Sequence, residues 1–319
     1  MKHKKYSALI IGANYGLNIL YPILKNQKNI DLIGICSKTK KNLKDKTITF
    51  LMNWKKAIKI YKPDFVVLAV PPKIQSKIIK YLIEKKIPFF GQKPLSYNFR
   101  DAKLITKTIK KNKLLTSFDL NFLKLAAIIK FKKIINKKKL SNSKIVVRWF
   151  FQSRSLKYKD SWKNNNKIGG GILYNFGFHL FSILIEIFDD LKLINVSKNN
   201  DSYKLNFIDK NKNNFEVFLS NKKNNINLFD ISVLDNNNNK LLIKNTSKNY
   251  HDNFTIKEND KILFVQKNSN IFDISRRVAT SLNIKDFIND LKKNNPSFLS
   301  QNIDLCIKVH KIISDIEHK

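Results

Sequence analysis

Glycine is scarce in this chain: 8 residues among 319. Four of them (Gly169, Gly170, Gly171 and Gly177) fall within Ile168–Phe181, IGGGILYNFGFHLF, and none follows Gly177. A chain this sparing with glycine keeps it where no side chain can be accommodated. Cysteine is rarer still. Cys36 and Cys306 are the only two, and they lack metal-ligand spacing, which argues against a zinc or disulfide framework and for a reducing, cytoplasmic setting. Long apolar runs are missing as well. The nearest candidate, 172–188, is interrupted by Asn175, His179 and Glu186, so no membrane association is expected. At the N-terminus the run ALII is too short for the core of a signal peptide.

Arginine is the fourth shortage. Lys+Arg is 61 against 24 Asp+Glu, a formal charge of +37. Only Arg100, Arg148, Arg154, Arg276 and Arg277 are arginines, so nearly all of the positive charge is lysine. The lysines are spread over almost every expected helix and turn, and lysine, asparagine and isoleucine are all heavily used, as A+T-rich codons would give. Nucleic-acid sites favour arginine in a clustered stripe. Any attraction to phosphates would be non-specific and salt-sensitive, and no specific nucleic-acid partner is expected. A hydrophobic content of 43% with 23 phenylalanines excludes a disordered chain, and the length suits two domains.

What is present starts with YSALII (6–11), an apolar run that ends at Gly12 and reads as a buried strand. GANYGLNILYPILKN follows, with Leu17, Leu20, Ile23 and Leu24 in helical spacing. Strand, glycine turn and helix form the context in which a dinucleotide pyrophosphate is held. The usual G-x-G-x-x-G is imperfect: Asn14 takes the second glycine position and Leu17 the third, with Gly16 one place early. Asparagine tolerates left-handed backbone, so the turn can survive. A second strand, IDLIGICS, ends at Ser37, about 25 residues past Gly12, where an NAD site usually places an acid. Ser37, Lys38, Lys40 and Lys41 stand there instead. A hydroxyl and cations suit a 2′-phosphate, which favours NADP over NAD.

A helix (54–61), the strand DFVVLAVPP (64–72), a helix (74–86), the strand PFFGQKPL (88–95), a helix (98–112) and the strand LLTSF (114–118) continue the alternation. The pattern predicts a doubly wound parallel sheet over residues 1–120. Beyond it, an amphipathic lysine-rich segment (122–139) leads to KIVVRWFFQS and the glycine-rich stretch. Six strands follow (LKLINVS, YKLNFID, NFEVFLS, INLFDISVL, KLLIKN and KILFVQ), with asparagine in the turns where glycine would be usual. Two helices, 278–293 and 303–317, close the chain. The expectation for 121–319 is an α/β domain with an open, mostly antiparallel sheet.

The order glycine turn, Val70-Pro71-Pro72, Gln92-Lys93-Pro94 and GGGILYNFGFH resembles the Gfo/Idh/MocA oxidoreductases over nearly the whole chain. That resemblance implies a Rossmann domain joined to a second domain whose sheet supports homo-oligomer contacts. It implies NADP or NAD held by Gly12, Asn14, Tyr15, Gly16, Ser37 and Lys38 on the first two strands. Val70, Pro71, Gln75 and Gln92 would contact the cofactor from the later ones. By position, Lys93 matches the lysine of the family's Glu-Lys-Pro motif, His179 its catalytic histidine, and Asn175 a position that is commonly aspartate. The chemistry agrees. A histidine titrating near neutrality can take a hydroxyl proton, and an ammonium beside the same oxygen can stabilise a developing alkoxide. With Lys93 in one domain and His179 in the other, the expected site lies in the cleft between them. Arg154, Tyr158 and Trp162, ahead of the triple glycine, are candidate contacts for a sugar, polyol or nucleotide-sugar substrate. Arg276-Arg277 could bind a phosphate or face water. Two carboxylates of the family pattern are amides here, Gln92 and Asn175, which leaves open an alternative: an NADP-binding sensor or regulatory protein without turnover.

Overall fold

In a computed structural model the chain is described over residues 5–38, 49–152, 161–199, 202–221, 227–266, 274–293 and 297–319, with backbone alone at 297–301. It divides into two compact units, 1–119 with 280–307 and 120–279 with 308–319.

The first unit is built on six parallel strands: β1 (Tyr6–Ile11), β2 (Ile30–Cys36), β3 (Phe50–Leu51), β4 (Phe65–Leu68), β5 (Phe89–Gln92) and β6 (Thr116–Asp119). Their order is β3-β2-β1-β4-β5-β6, the arrangement of a dinucleotide-binding sheet. All four residues of β4 are buried, as expected for a strand covered on both faces. The helical segment after β1 is a π-turn (Gly16–Leu20) running into the short α1 (Tyr21–Lys25). The helices α2 (Trp54–Tyr61), α3 (Pro72–Glu84) and α4 (Phe99–Lys111) follow the sequence expectation closely. Asn53 and Asn98 cap α2 and α4 by accepting from the main-chain N–H three residues on. The run 64–72 yields only four strand residues, because Pro72 opens α3.

The second unit carries an eight-stranded sheet made of β7 (Lys144–Phe150), β8 (Leu191–Asn199), β9 (Ser202–Asp209), β10 (Asn214–Ser220), β11 (Leu228–Leu234), β12 (Lys240–Asn245), β13 (Thr255–Glu258) and β14 (Lys261–Val265). The order is β14-β13-β12-β11-β7-β10-β9-β8. Every pairing is antiparallel except β7 with β10, which is parallel. Alternate residues such as Phe215, Val217 and Leu219, or Ile145, Val147 and Trp149, are buried on one face. Against that face packs α6 (Phe178–Phe188), through Phe181 on Phe207 and Phe188 on Phe215, ring centroids 5.9 and 5.1 Å apart. Helix α5 (Ala126–Lys138) lies beside α6.

The last two helices, α7 (Ile274–Lys293) and α8 (Ser297–His318), differ from the sequence expectation in where they belong. The pattern assigns both to the second domain. From Thr280 to Ile307 the chain is part of the first unit. Ile284, Phe287 and Ile288 complete the core made by β1, β2 and β4, with Phe287 ring contacts of 5.4 Å to Phe65 and 5.9 Å to Phe90. An amphipathic helix buries its apolar stripe against whichever sheet it reaches, and sequence period does not say which.

Glycine scarcity has a visible consequence. Left-handed positions that end helices, usually glycine, are taken by Lys62, Lys86, Lys113 and Lys139, and several turns by Asn142, Asn238, Asn253 and Asn259.

Candidate functional site

In the first unit the sheet reverses direction of growth at β1, which lies between β2 and β4. Ligands of such sheets bind beyond the carboxyl ends of the strands at this point. Gly12 stands there with φ 118°, and a Cβ on it would fall 2.1 Å from the Ala69 carbonyl oxygen. Its N–H donates to Cys36 O at 2.8 Å, tying the turn to the end of β2. Only glycine fits between those two strand ends, and the bare backbone there is the cradle a pyrophosphate requires. Gly16 is tighter than an alanine allows, 2.9 Å from Ile10 Cγ2. Asn14 is exposed and Tyr15 half-buried. Ser37 follows β2 directly, its N–H bonded to Leu51 O at 2.9 Å, and Lys38 beside it is exposed. Lys40 and Lys41 lie outside the described residues. No acid occupies the position after β2, so these residues fit a coenzyme of either ribose type without repelling a 2′-phosphate.

Val70 and Pro71 leave β4 half-buried and lead into α3. One turn on, Gln75 is 1% exposed, and its Nε2 donates to Gln92 O at 2.7 Å and Pro94 O at 2.8 Å. It thereby clamps the Gln92-Lys93-Pro94 segment, whose Lys93–Pro94 bond is cis. Lys93 is half-buried. Gln92 donates through Nε2 to Asp119 Oδ2 at 3.1 Å. Asp119 is fully buried. It also accepts from Tyr15 Oη at 3.2 Å, Thr280 Oγ1 at 2.8 Å and Asn283 Nδ2 at 2.9 Å. Burial pushes the Asp119 carboxyl above the usual carboxylate range, with the bonds from Asn283, Thr280, Gln92 and Tyr15 pulling the other way. Asp119, Thr280 and Asn283 had no signal in the sequence, since none stands in a motif.

The second unit holds the glycine-rich stretch. Two short turns, Trp162–Asn164 and Asn166–Ile168, precede it. A Cβ on Gly170 would lie 2.2 Å from Trp162 O, so the triple glycine lets the helix start pack on this loop. Trp162 itself is half-buried, while Arg154 and Tyr158 fall outside the described residues. Asn175 donates through Nδ2 to Lys163 O at 2.8 Å and Gly171 O at 2.7 Å, a double donation no aspartate could make. The sequence expects Asn175 and His179 one regular turn apart. Asn175 lies instead within a π-turn, Leu173–Gly177, that leads into α6, where His179 stands. Such insertions recur at functional sites. The His179 ring is half-buried and lies 4.7 Å from the ring of Phe122, which also contacts His251 at 4.4 Å. Neither Phe122 nor His251 was singled out by sequence. Burial, with the Arg276 cation in reach, holds the Lys163 ammonium below its ordinary range. Among the described residues no cluster of histidine, cysteine and acids could hold a metal ion, and no helix is long and apolar enough to cross a membrane.

The glycine turn, the strand order and the reversal at β1 coincide with a match of residues 6–119 to the family described as oxidoreductases with an NAD-binding Rossmann fold, GFO_IDH_MocA. The family model matches residues 6–119, less than half of the 319-residue chain. No curated protein matches the chain significantly. Solved structures share its fold over almost their whole length. An oxidoreductase from Thermotoga maritima has a TM-score of 0.80 at 15% identity, covering 98% of this chain and 96% of its own. KijD10, a 3-ketoreductase from Actinomadura kijaniata solved with NADP and TDP-benzene, has a TM-score of 0.79 at 12% identity, covering 99% and 98%. The WlbA dehydrogenase from Bordetella pertussis, solved with NADH and UDP-GlcNAcA, has 0.73 at 12%, covering 100% and 96%. The family match thus covers the six-stranded sheet by sequence, and the fold likeness to the solved structures extends to the second sheet.

Proposed function

We propose that the protein is an NAD(P)-dependent oxidoreductase that moves a hydride between a nicotinamide coenzyme and a carbinol or ketone of a sugar, polyol or nucleotide sugar. The observation that carries this reading is Gly12, which follows β1 and is admitted against the Ala69 carbonyl beyond β4 by the absence of a side chain, inside a stretch that matches an NAD-binding family. Ser37 and Lys38, with no acid after β2, favour NADP. The carbohydrate reading draws support from the nucleotide-linked ligands of two structural neighbours.

When bound, the nicotinamide would supply the hydride acceptor. In the oxidising direction His179 accepts the proton of the substrate hydroxyl, and the Lys93 ammonium stabilises the negative charge that builds on that oxygen. Trp162 contributes to substrate contact, and Arg154 and Tyr158 remain the sequence candidates for the same role. Asn175 acts by holding the Lys163 carbonyl and the glycine turn in place rather than by transferring a proton. Gln92 and Asn175, the two amides that motivate a catalytically silent sensor, are each committed as donors. Their amide character therefore has a structural reason and is no argument against turnover. The two cysteines are free and buried, in keeping with a reducing cytoplasmic setting, and the second sheet is the proposed homo-oligomer surface.

Titration with NADPH and NADH, followed by turnover on a panel of sugars, polyols and nucleotide sugars, tests the reading. Binding with turnover supports it, and binding without turnover by any substrate supports the sensor.

A further inference from the structure

The structure gives a reason for the amide at position 92. Gln92 and Asp119 are direct partners in the parallel ladder of β5 and β6. Their side chains meet, with Gln92 Nε2 donating to Asp119 Oδ2 at 3.1 Å. A glutamate at 92 would set two carboxylates against each other in a site where Asp119 is 0% exposed, and like charges so placed cannot both ionise.

The donor set around Asp119 is that of a carboxylate. Thr280 Oγ1 and Asn283 Nδ2 give the short bonds, 2.8 and 2.9 Å, from α7. Tyr15 Oη reaches it at 3.2 Å from the glycine turn. Tyr15 and Thr280 are also 3.3 Å apart, so the two hydroxyls share the same cluster. The amide nitrogens of Gln92 and Asn283 can only donate, which leaves each carboxylate oxygen receiving at least one N–H. An ionised acid buried this way is tolerable when several hydrogen bonds satisfy its lone pairs. The chain leaves the first unit after Asp119 and re-enters it at Thr280, so the same carboxylate also fixes both of these crossing points.

We propose that Asp119 is a positioning residue, holding the Tyr15 turn and the Gln92-Lys93-Pro94 segment in the geometry that receives the coenzyme. The carboxylate stands on β6, and the amide at 92 on β5 is its hydrogen-bond donor. Lys93 is next to that amide, so its placement depends on Asp119 through Gln92.

This rests on the coenzyme reading above, and the experiment separates the two. Coenzyme dissociation constants for NADPH and NADH, measured well below the melting temperature, are compared for wild type, Asp119→Asn, Gln92→Glu and the double variant. The wild type binding neither coenzyme overturns the coenzyme reading itself. With a binding wild type, each single change weakens coenzyme binding by about tenfold or more, and the double change recovers it to within about threefold, because the carboxylate–amide pair is restored in reverse. A single variant that does not fold leaves the double variant as the test, which must fold and bind. Single variants that lose melting temperature but bind as wild type does, or a double variant no better than the worse single, overturn the proposal.

Discussion

The side-chain amide of Gln75 donates to the main-chain oxygen of Pro94 at 2.8 Å and, from the same nitrogen, to that of Gln92 at 2.7 Å. Helix α3 thereby grips the segment that carries Lys93. Gln75→Ala removes both bonds at a buried site, and a loss of about 1–3 kcal/mol is expected from the urea unfolding midpoint. Gln75→Glu fares worse than alanine, because a carboxylate can only accept and would face two carbonyl oxygens. A midpoint unchanged by either substitution would contradict the clamp.

Gly12 and Gly16 make a graded pair. A side chain on Gly12 meets a backbone carbonyl at 2.1 Å with φ at 118°, whereas one on Gly16 meets the methyl of Ile10 at 2.9 Å. The backbone conformation alone costs Gly12→Ala about 1–3 kcal/mol, and the clash adds to that. Thermal melting and coenzyme titration should both rank Gly12→Ala well below Gly16→Ala. Equal behaviour of the two would show that the turn adapts more than this packing allows.

Asp101 sets an acid limit on the first unit. Burial raises its carboxyl pKa, but the Lys80 ammonium at 2.5 Å and the hydroxyls of Ser96 and Ser76 outweigh burial and hold it below the usual range. A depressed folded-state pKa gives stability that is fully present above the unfolded value, about 3.9, and lost as pH falls through the folded one. Asp101→Asn should therefore be less stable than wild type at neutral pH, with the difference shrinking on acidification toward and below pH ~3.9. A difference that stays constant across that window would remove the carboxylate from the explanation.

Much of the first unit can be read from residues alone. YSALII, DFVVLAV and Gly12 encode a buried parallel strand, a second strand and the turn between sheet and helix, because burial on both faces demands continuous apolar runs. The strand Thr255–Glu258 carries no strand signal, since TIKE has too little alternation and is followed by asparagine and aspartate. Lysine ends four helices in left-handed conformation, and lysine is no turn signal in a chain that uses it everywhere. The Asp119 cluster was illegible for a plainer reason. Its partners lie 27, 104, 161 and 164 residues away in sequence. Only folding brings them together, and no spacing rule can anticipate it. Asn175 could be located but not understood. Its role depends on the Lys163 carbonyl, which the glycine turn brings within 2.8 Å.

Lys93 and His179 are proposed above to perform coenzyme-dependent redox chemistry on a carbinol. The most direct test is turnover by Lys93→Ala beside wild type, with NADPH and NADH binding measured in the same preparations. Coenzyme binding close to wild type is expected in the variant, with turnover reduced by about a hundredfold or more, as for loss of a group that stabilises developing charge. A Lys93→Ala protein that turns over at the wild-type rate would contradict that role.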